Sequence, residues 1–143
     1  YHHWINANEV ALFMVDTPNY LVIADTRDDK QRRIEENVGR SFQTLPNGNL
    51  AYVQKADEYN WYIKELNNYT KQTKRIIQTL PGAEDFIVLN DGSIVMGKGS
   101  KMFKYHPSYD NNWVEMVDLR YYNINNISRL AVSADNKIAI TGK

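Results

Sequence analysis

Apolar and polar residues alternate along this chain in short runs, and each run is broken by Asn, Asp, Gly or Pro. Alternation with a period of two is the mark of strands with two distinct faces. Four segments share one pattern, a turn followed by an alternating strand. They are Asn8-Glu9-Val10-Ala11-Leu12, Gly48-Asn49-Leu50-Ala51-Tyr52, Gly92-Ser93-Ile94-Val95-Met96 and Asn136-Lys137-Ile138-Ala139-Ile140. Their first apolar residues, Val10, Leu50, Ile94 and Ile138, lie 40, 44 and 44 positions apart. Eight residues upstream of the last three, Phe42, Phe86 and Leu130 open a short strand that runs into the turn; His2-His3-Trp4-Ile5 is the matching segment of the first unit. Asn-Gly and Asp-Gly turns tolerate positive φ and predict hairpins.

Two more strands are expected after each of the first three hairpins. The third strands are Tyr20–Ala24, Trp61–Leu66 and Lys101–Tyr105; the fourth are Arg33–Glu35, Arg75–Gln78 and Trp113–Val117. Four antiparallel strands in about 40–45 residues is the signature of a propeller blade. The expected fold is therefore all-β: a β-propeller segment of about three and a half four-stranded antiparallel blades, a partial ring. The expected blades are 1–37, 38–80 and 81–124, with a half blade at 125–143. Residues 65–78 contain Asn67-Asn68 and Thr70, which favour strand-turn-strand over helix.

With these residues in place, the chain resembles the TolB-like (WD-like) bacterial β-propeller repeat. That repeat reads small strand, Ser-Pro-Asp-Gly-Lys, then a strand of the Ile-Ala-Phe type. The matches are Val132-Ser133-Ala134-Asp135-Asn136-Lys137-Ile138-Ala139-Ile140 and Val88-Leu89-Asn90-Asp91-Gly92-Ser93-Ile94-Val95-Met96. Both lack the Pro, which Leu45-Pro46-Asn47-Gly48 keeps in a shifted place. The resemblance extends to the C-terminal portion of propellers of the Bacteroidetes type, which are usually exported. It implies a periplasmic or cell-envelope location and supplies no activity, because the motif marks a hairpin.

Blades bury both faces against neighbours, so a partial ring predicts uncovered sheet. Phe42, Thr44, Phe86 and Val88 are expected to face one neighbouring blade, and Asp85, Ile87 and Leu89 the other. Either Tyr1, His3 and Ile5 or His2 and Trp4 are expected to lack cover. Leu130, Val132, Ile138 and Ile140 are expected to form a half blade with unpaired edges. Two remedies present themselves: missing N-terminal blades of a longer protein, or a second copy closing the ring.

The 143 residues are 43% hydrophobic and 24% charged, a globular composition. Lys plus Arg is 17 and Asp plus Glu is 17, a balance without the basic footprint of a nucleic-acid binder. No apolar run is long enough for a membrane-spanning helix, so membrane insertion is not expected. There is no cysteine, hence no disulfide, thiol nucleophile or thiolate metal site. His2 and His3 point to opposite faces of one strand and do not converge on a metal. Calcium-loop and Gly-x-Ser-x-Gly patterns are absent, so neither a cofactor nor a hydrolase nucleophile is expected.

Propellers bind ligands at the channel mouth or on loops between strands. The channel-rim candidates are His3, Arg40, Ser41, Glu84, Asp85 and Arg129, at the starts of the innermost strands. Trp113, Tyr121 and Tyr122 lie in polar-aromatic segments suited to carbohydrate, peptide or protein contact. The expected function is a non-catalytic interaction module for protein or peptide. The alternatives are a recognition propeller accessory to a hydrolase or peptidase, and a carbohydrate-binding propeller.

Overall fold

Short polar side chains close the hairpins. In a computed structural model describing residues 1–143, Asn6 Oδ1 accepts from the N–H groups of Asn8 and Glu9, each at 2.9 Å. Asn47 Oδ1 accepts from Asn49 N at 3.0 Å, and Asp91 Oδ1 from Ser93 N at 2.8 Å. These are Asx turns, in which a side chain takes the place of a backbone acceptor. Gly48 and Gly92 follow at φ +86° and +90°, where a Cβ is strained; Asn136 fills the same role in the last hairpin at φ 61°.

Fourteen strands result, each paired antiparallel with its chain neighbours in the same sheet. The first sheet holds β1 (His2–Trp4), β2 (Glu9–Met14), β3 (Tyr20–Asp25) and β4 (Gln31–Glu36). The second holds β5 (Val38–Thr44), β6 (Leu50–Lys55), β7 (Trp61–Leu66) and β8 (Thr73–Gln78). The third holds β9 (Phe86–Val88), β10 (Ile94–Lys98), β11 (Lys101–Tyr105) and β12 (Val114–Asp118), and the fourth only β13 (Ile127–Val132) and β14 (Ile138–Gly142). Three four-stranded meanders and a two-stranded one make a partial propeller. They group into two compact units, Tyr1–Gln78 and Thr79–Lys143.

In the first unit, Ala11, Phe13, Leu21 and Ile23 of the first sheet pack against Val38, Phe42, Leu50, Tyr52 and Leu66 of the second. Each large side chain so buried contributes on the order of 2 kcal/mol. Alternation along β1 decides which residues join this core. Ile5 is buried in it, the Tyr1 ring meets Phe13 edge-on at 6.1 Å, and His3 Nε2 bonds Thr44 Oγ1 at 2.7 Å. His2 and Trp4 take the opposite face and are exposed.

In the second unit, Ile87, Val95 and Met102 of the third sheet pack with Leu130 of the fourth, joined by Leu89, Ile127, Val132, Ile138 and Ile140. The half blade expected to have unpaired edges is a sheet of two strands. Its four apolar residues lie against the third sheet, while Arg129, Ala131, Ala139 and Thr141 are among its exposed residues. The approach is close at Gly97, where a Cβ would stand 2.6 Å from Ile127 Cγ2.

The outermost strands share one device. Ile34, Ile76 and Met116 are each bulged out of register against the neighbouring third strand. Beside each bulge, one side-chain pair crosses the two strands. The Arg33 guanidinium lies 3.9 Å from the centroid of the Tyr20 ring, and Arg75 repeats the arrangement over Tyr62 at 3.9 Å. In the third sheet a Lys101–Glu115 ion pair at 2.7 Å takes that place.

One element departs from the all-strand expectation. Leu119–Tyr122 forms a single 3-10 turn. Asp118 Oδ1 accepts from Arg120 N at 3.0 Å at its start, and Asn123, left-handed at φ 60°, ends it.

Candidate functional site

The channel-rim candidates sit where β1, β5, β9 and β13 begin, and several hold neighbouring sheets together. His3 spends its Nε2 on Thr44. Burial first, and the charge of His2 second, hold its imidazole below the usual histidine range. Arg40 stands 5.3 Å from the Tyr1 ring centroid and 5.6 Å from that of Phe13, a cation between two aromatic faces. Ser41, one residue on, is buried. In the first unit the structure thus gathers Tyr1, His3, Phe13 and Arg40, on or beside the strands that open the two sheets.

In the second unit Glu84 and Asp85 are half-buried, at the entry to β9. Asp85 Oδ2 accepts the Leu130 N–H at 2.6 Å, so this carboxylate ties the third sheet to β13. Arg129 is exposed, on the opposite side of β13 from buried Leu130. Asp85 is thus engaged by the backbone next to Arg129.

Two polar clusters of the first unit escape sequence inspection. Lys64 Nζ donates to Glu35 Oε1 at 2.7 Å while the Tyr52 hydroxyl donates to Glu35 Oε2. Burial, with the Glu35 carboxylate beside it, raises the Tyr52 pKa well above the usual phenol range. In the second cluster, Lys71 Nζ and Asn6 Nδ2 both donate to Glu9 Oε1, at 3.0 and 2.8 Å, and Asn6 Nδ2 also reaches Asn68 Oδ1 at 3.0 Å. Burial pushes the Glu9 carboxyl up, but the Asn6 and Lys71 hydrogen bonds and the Lys71 charge leave it below its ordinary value. The partners are 29 and 62 residues apart, and the strand alternation that places them carries no signal of their pairing.

Each unit carries an open hollow. One of about 480 Å³ is lined by Trp4, Ile5, Asn6, Ala7 and Thr44. The other, about 590 Å³, overlies the open side of the β13–β14 hairpin and includes Ala131, Ala139, Asp135 and Lys137. No group of three or more His, Asp or Glu side chains is arranged to hold a metal ion. No helix is long and apolar enough to cross a membrane.

The aromatic candidates fall at the two ends of β12. Trp113 precedes it, half-buried, with its ring 6.0 Å from that of Tyr105. Tyr121 and Tyr122 follow it on the 3-10 turn and are 97% and 74% exposed. Between them β12 exposes Val114, Met116 and Val117. Apolar strand residues in solvent are what the sequence pattern did not disclose, because the repeat marks them as strand without saying what covers them.

No protein-family model matches this chain, and no curated protein matches its sequence. Among solved structures, TolB from Acinetobacter baumannii superposes with a TM-score of 0.72 at 17% identity, over 99% of this chain and 37% of TolB. The tricorn protease superposes with a TM-score of 0.62 at 18% identity, over 98% of this chain and 15% of that one. The chain spans well under half the length of either structure. The architecture and these likenesses together show a TolB-like β-propeller fold in its all-β, partial form.

Proposed function

We propose that this chain is a non-catalytic interaction segment of a larger β-propeller, presenting its loops and blade edges to a protein or peptide. The observation that carries this is how the side chains are used. Among the channel-rim candidates, His3 and Asp85 are spent on bonds between sheets, while the exposed side chains of the binding type, Tyr121 and Tyr122, flank an uncovered strand. Tyr and Trp dominate binding hot spots because they offer large contact area with a polar tip. Arg40 of the first unit and Arg129 of the second, also exposed, are further candidates, each within its own unit. The ring is completed by further blades of the same protein, or by a second copy; light scattering of the full-length protein separates the two. A periplasmic or envelope location accords with the TolB-like resemblance, and cell fractionation tests it.

The test of function is selection of a phage-displayed peptide library on the protein, run beside a glycan array. Peptide binders that lose affinity at least tenfold in Tyr121→Ala/Tyr122→Ala are expected. Glycan binding without peptide binding would overturn the proposal and favour a carbohydrate module. The likeness to the tricorn protease supports a second role, substrate recognition beside a peptidase. A hydrolase domain encoded in the same gene is the discriminating feature.

A further inference from the structure

β5 steps out of register against β6 early in its course. Val38 pairs with Gln54 and Phe42 with Tyr52, so Gly39, Arg40 and Ser41 stand opposite Val53 alone. A bulge of this kind re-aims side chains. Val38 and Phe42, on either side of it, are buried in the core of the first unit. Gly39 and Ser41 are buried as well, and Arg40 is turned out to solvent.

The Arg40 guanidinium is nevertheless held. The rings of Tyr1 and Phe13 meet at 84° and form a corner, and Arg40 Cζ lies 5.3 and 5.6 Å from their centroids. Contact with ring faces steadies a guanidinium and leaves its N–H donors unused. Arg27 and Arg33 of the same unit pair with Asp25 and Glu36 at 2.7 and 2.8 Å, whereas no carboxylate of the unit pairs with Arg40. β1 and β5, which open the two sheets, contain no Asp or Glu and no other Arg or Lys. His3 adds no second cation: its Nε2 is engaged with Thr44, and burial holds its imidazole below the usual histidine range.

Resting on the interaction role proposed above, we infer that Arg40, steadied by Tyr1 and Phe13, anchors a carboxylate of a partner peptide within the first unit. The planar fork of the guanidinium donates to both carboxylate oxygens, a match that a lysine does not offer. A single cation suits a singly charged group; the more highly charged phosphate is read by clusters of arginines. The aromatic corner keeps water from part of the pair, which raises its worth above that of an ordinary surface ion pair. Two sources supply such a group: an Asp or Glu side chain, or the C-terminus of a chain. The contact is separate from Tyr121 and Tyr122, which belong to the second unit.

The experiment selects a phage-displayed peptide library on the full-length Tyr121→Ala/Tyr122→Ala protein, which keeps Arg40 intact. Recovered peptides are synthesised with each Asp or Glu replaced in turn by Asn or Gln, and with the C-terminus free or amidated. Affinity for the unaltered protein is read by fluorescence anisotropy. One of these replacements is expected to weaken binding about tenfold, and which one it is names the source of the carboxylate. In Arg40→Gln the same replacement is expected to change nothing, and Arg40→Lys is expected to recover only part of the loss. Arg32→Gln, at an exposed arginine of β4, is expected to leave affinity unchanged. Should Arg40→Gln disturb the fold, the Nε–H resonance of Arg40 in the unaltered protein decides: it is expected to shift with the acidic peptide and not with its amide counterpart. A carboxylate preference that survives Arg40→Gln, an equal loss in Arg32→Gln, or an unmoved Nε–H resonance would overturn the anchor and leave the interaction role standing. So would recovery of peptides by the unaltered protein alone. Recovery of no peptide by either protein would overturn both proposals.

Discussion

The Glu35–Lys64 pair offers a test of how the first unit is held together. Lys64 and Glu35 meet at 2.7 Å with side chains 11% and 16% exposed, so solvent screens them little. Tyr52, fully buried, donates to the other carboxylate oxygen. Lys64→Met keeps the length of the side chain and removes its charge. Glu35 is then left in a half-buried site with only the Tyr52 hydroxyl to stabilise it. Breaking a buried pair from one side costs about 3–5 kcal/mol; the residual exposure here places the expected loss near the lower end, about 3 kcal/mol. At roughly 2–4 °C per kcal/mol for a chain of this size, the melting temperature falls by roughly 6–12 °C. Removing both charges in Glu35→Met/Lys64→Met restores stability to within about 1 kcal/mol of the parent, because a packed apolar pair carries no cost of desolvating two ions. Urea unfolding followed by tryptophan fluorescence measures this, since Trp4 and Trp61 lie in the same unit. A loss below about 1 kcal/mol in Lys64→Met, or a double variant that equals the sum of its two single variants, would refute the argument.

Three further outcomes are expected. Asp85→Ala deprives the Leu130 N–H of its 2.6 Å acceptor and costs about 1–3 kcal/mol, read as faster amide exchange in β13 and β14 with β10 and β11 unchanged. Gly97→Val drives side-chain atoms into Ile127, already 2.6 Å from an added Cβ, and destabilises the second unit by about 1–3 kcal/mol or more in chemical denaturation. The hydrogen bond and charge of Arg27 hold the Asp25 carboxyl down to about 2, from 3.8. A lowered folded-state value stabilises above pH 3.8 and loses its contribution as pH falls through about 2. Carbon-detected NMR titration of Asp25 should give a midpoint near that lower value, and Arg27→Ala should return it toward 3.8.

Most of the strand plan was legible because it is local. A turn that closes through Asn47 or Asp91 and then Gly48 or Gly92 needs only four neighbouring residues, and the alternation beyond it follows from the pleat. The same alternation separated Asp85, Ile87 and Leu89 from Phe86 and Val88, and Asp85, Ile87 and Leu89 do face β13 and β14. The 3-10 turn at Leu119–Tyr122 was not legible, since one short turn capped by Asp118 leaves no periodicity to detect.

What the sequence by itself determined is therefore the repeat: antiparallel meanders, the placing of their hairpins, and the two faces of each strand. Only the tertiary structure decided what each face meets. It turned His3 and Ile5 toward the second sheet and left His2 and Trp4 outside, although one alternating run allows either choice. It also paired Lys64 with Glu35, shut the apolar side of β13 and β14 against the third sheet, and left Val114, Met116 and Val117 of β12 in solvent. The reason is physical. A hairpin is specified by the torsional preferences and short-range hydrogen bonds of adjacent residues, whereas burial and ion pairing depend on which sheet packs against which, and nothing within a single strand encodes its neighbour across that gap.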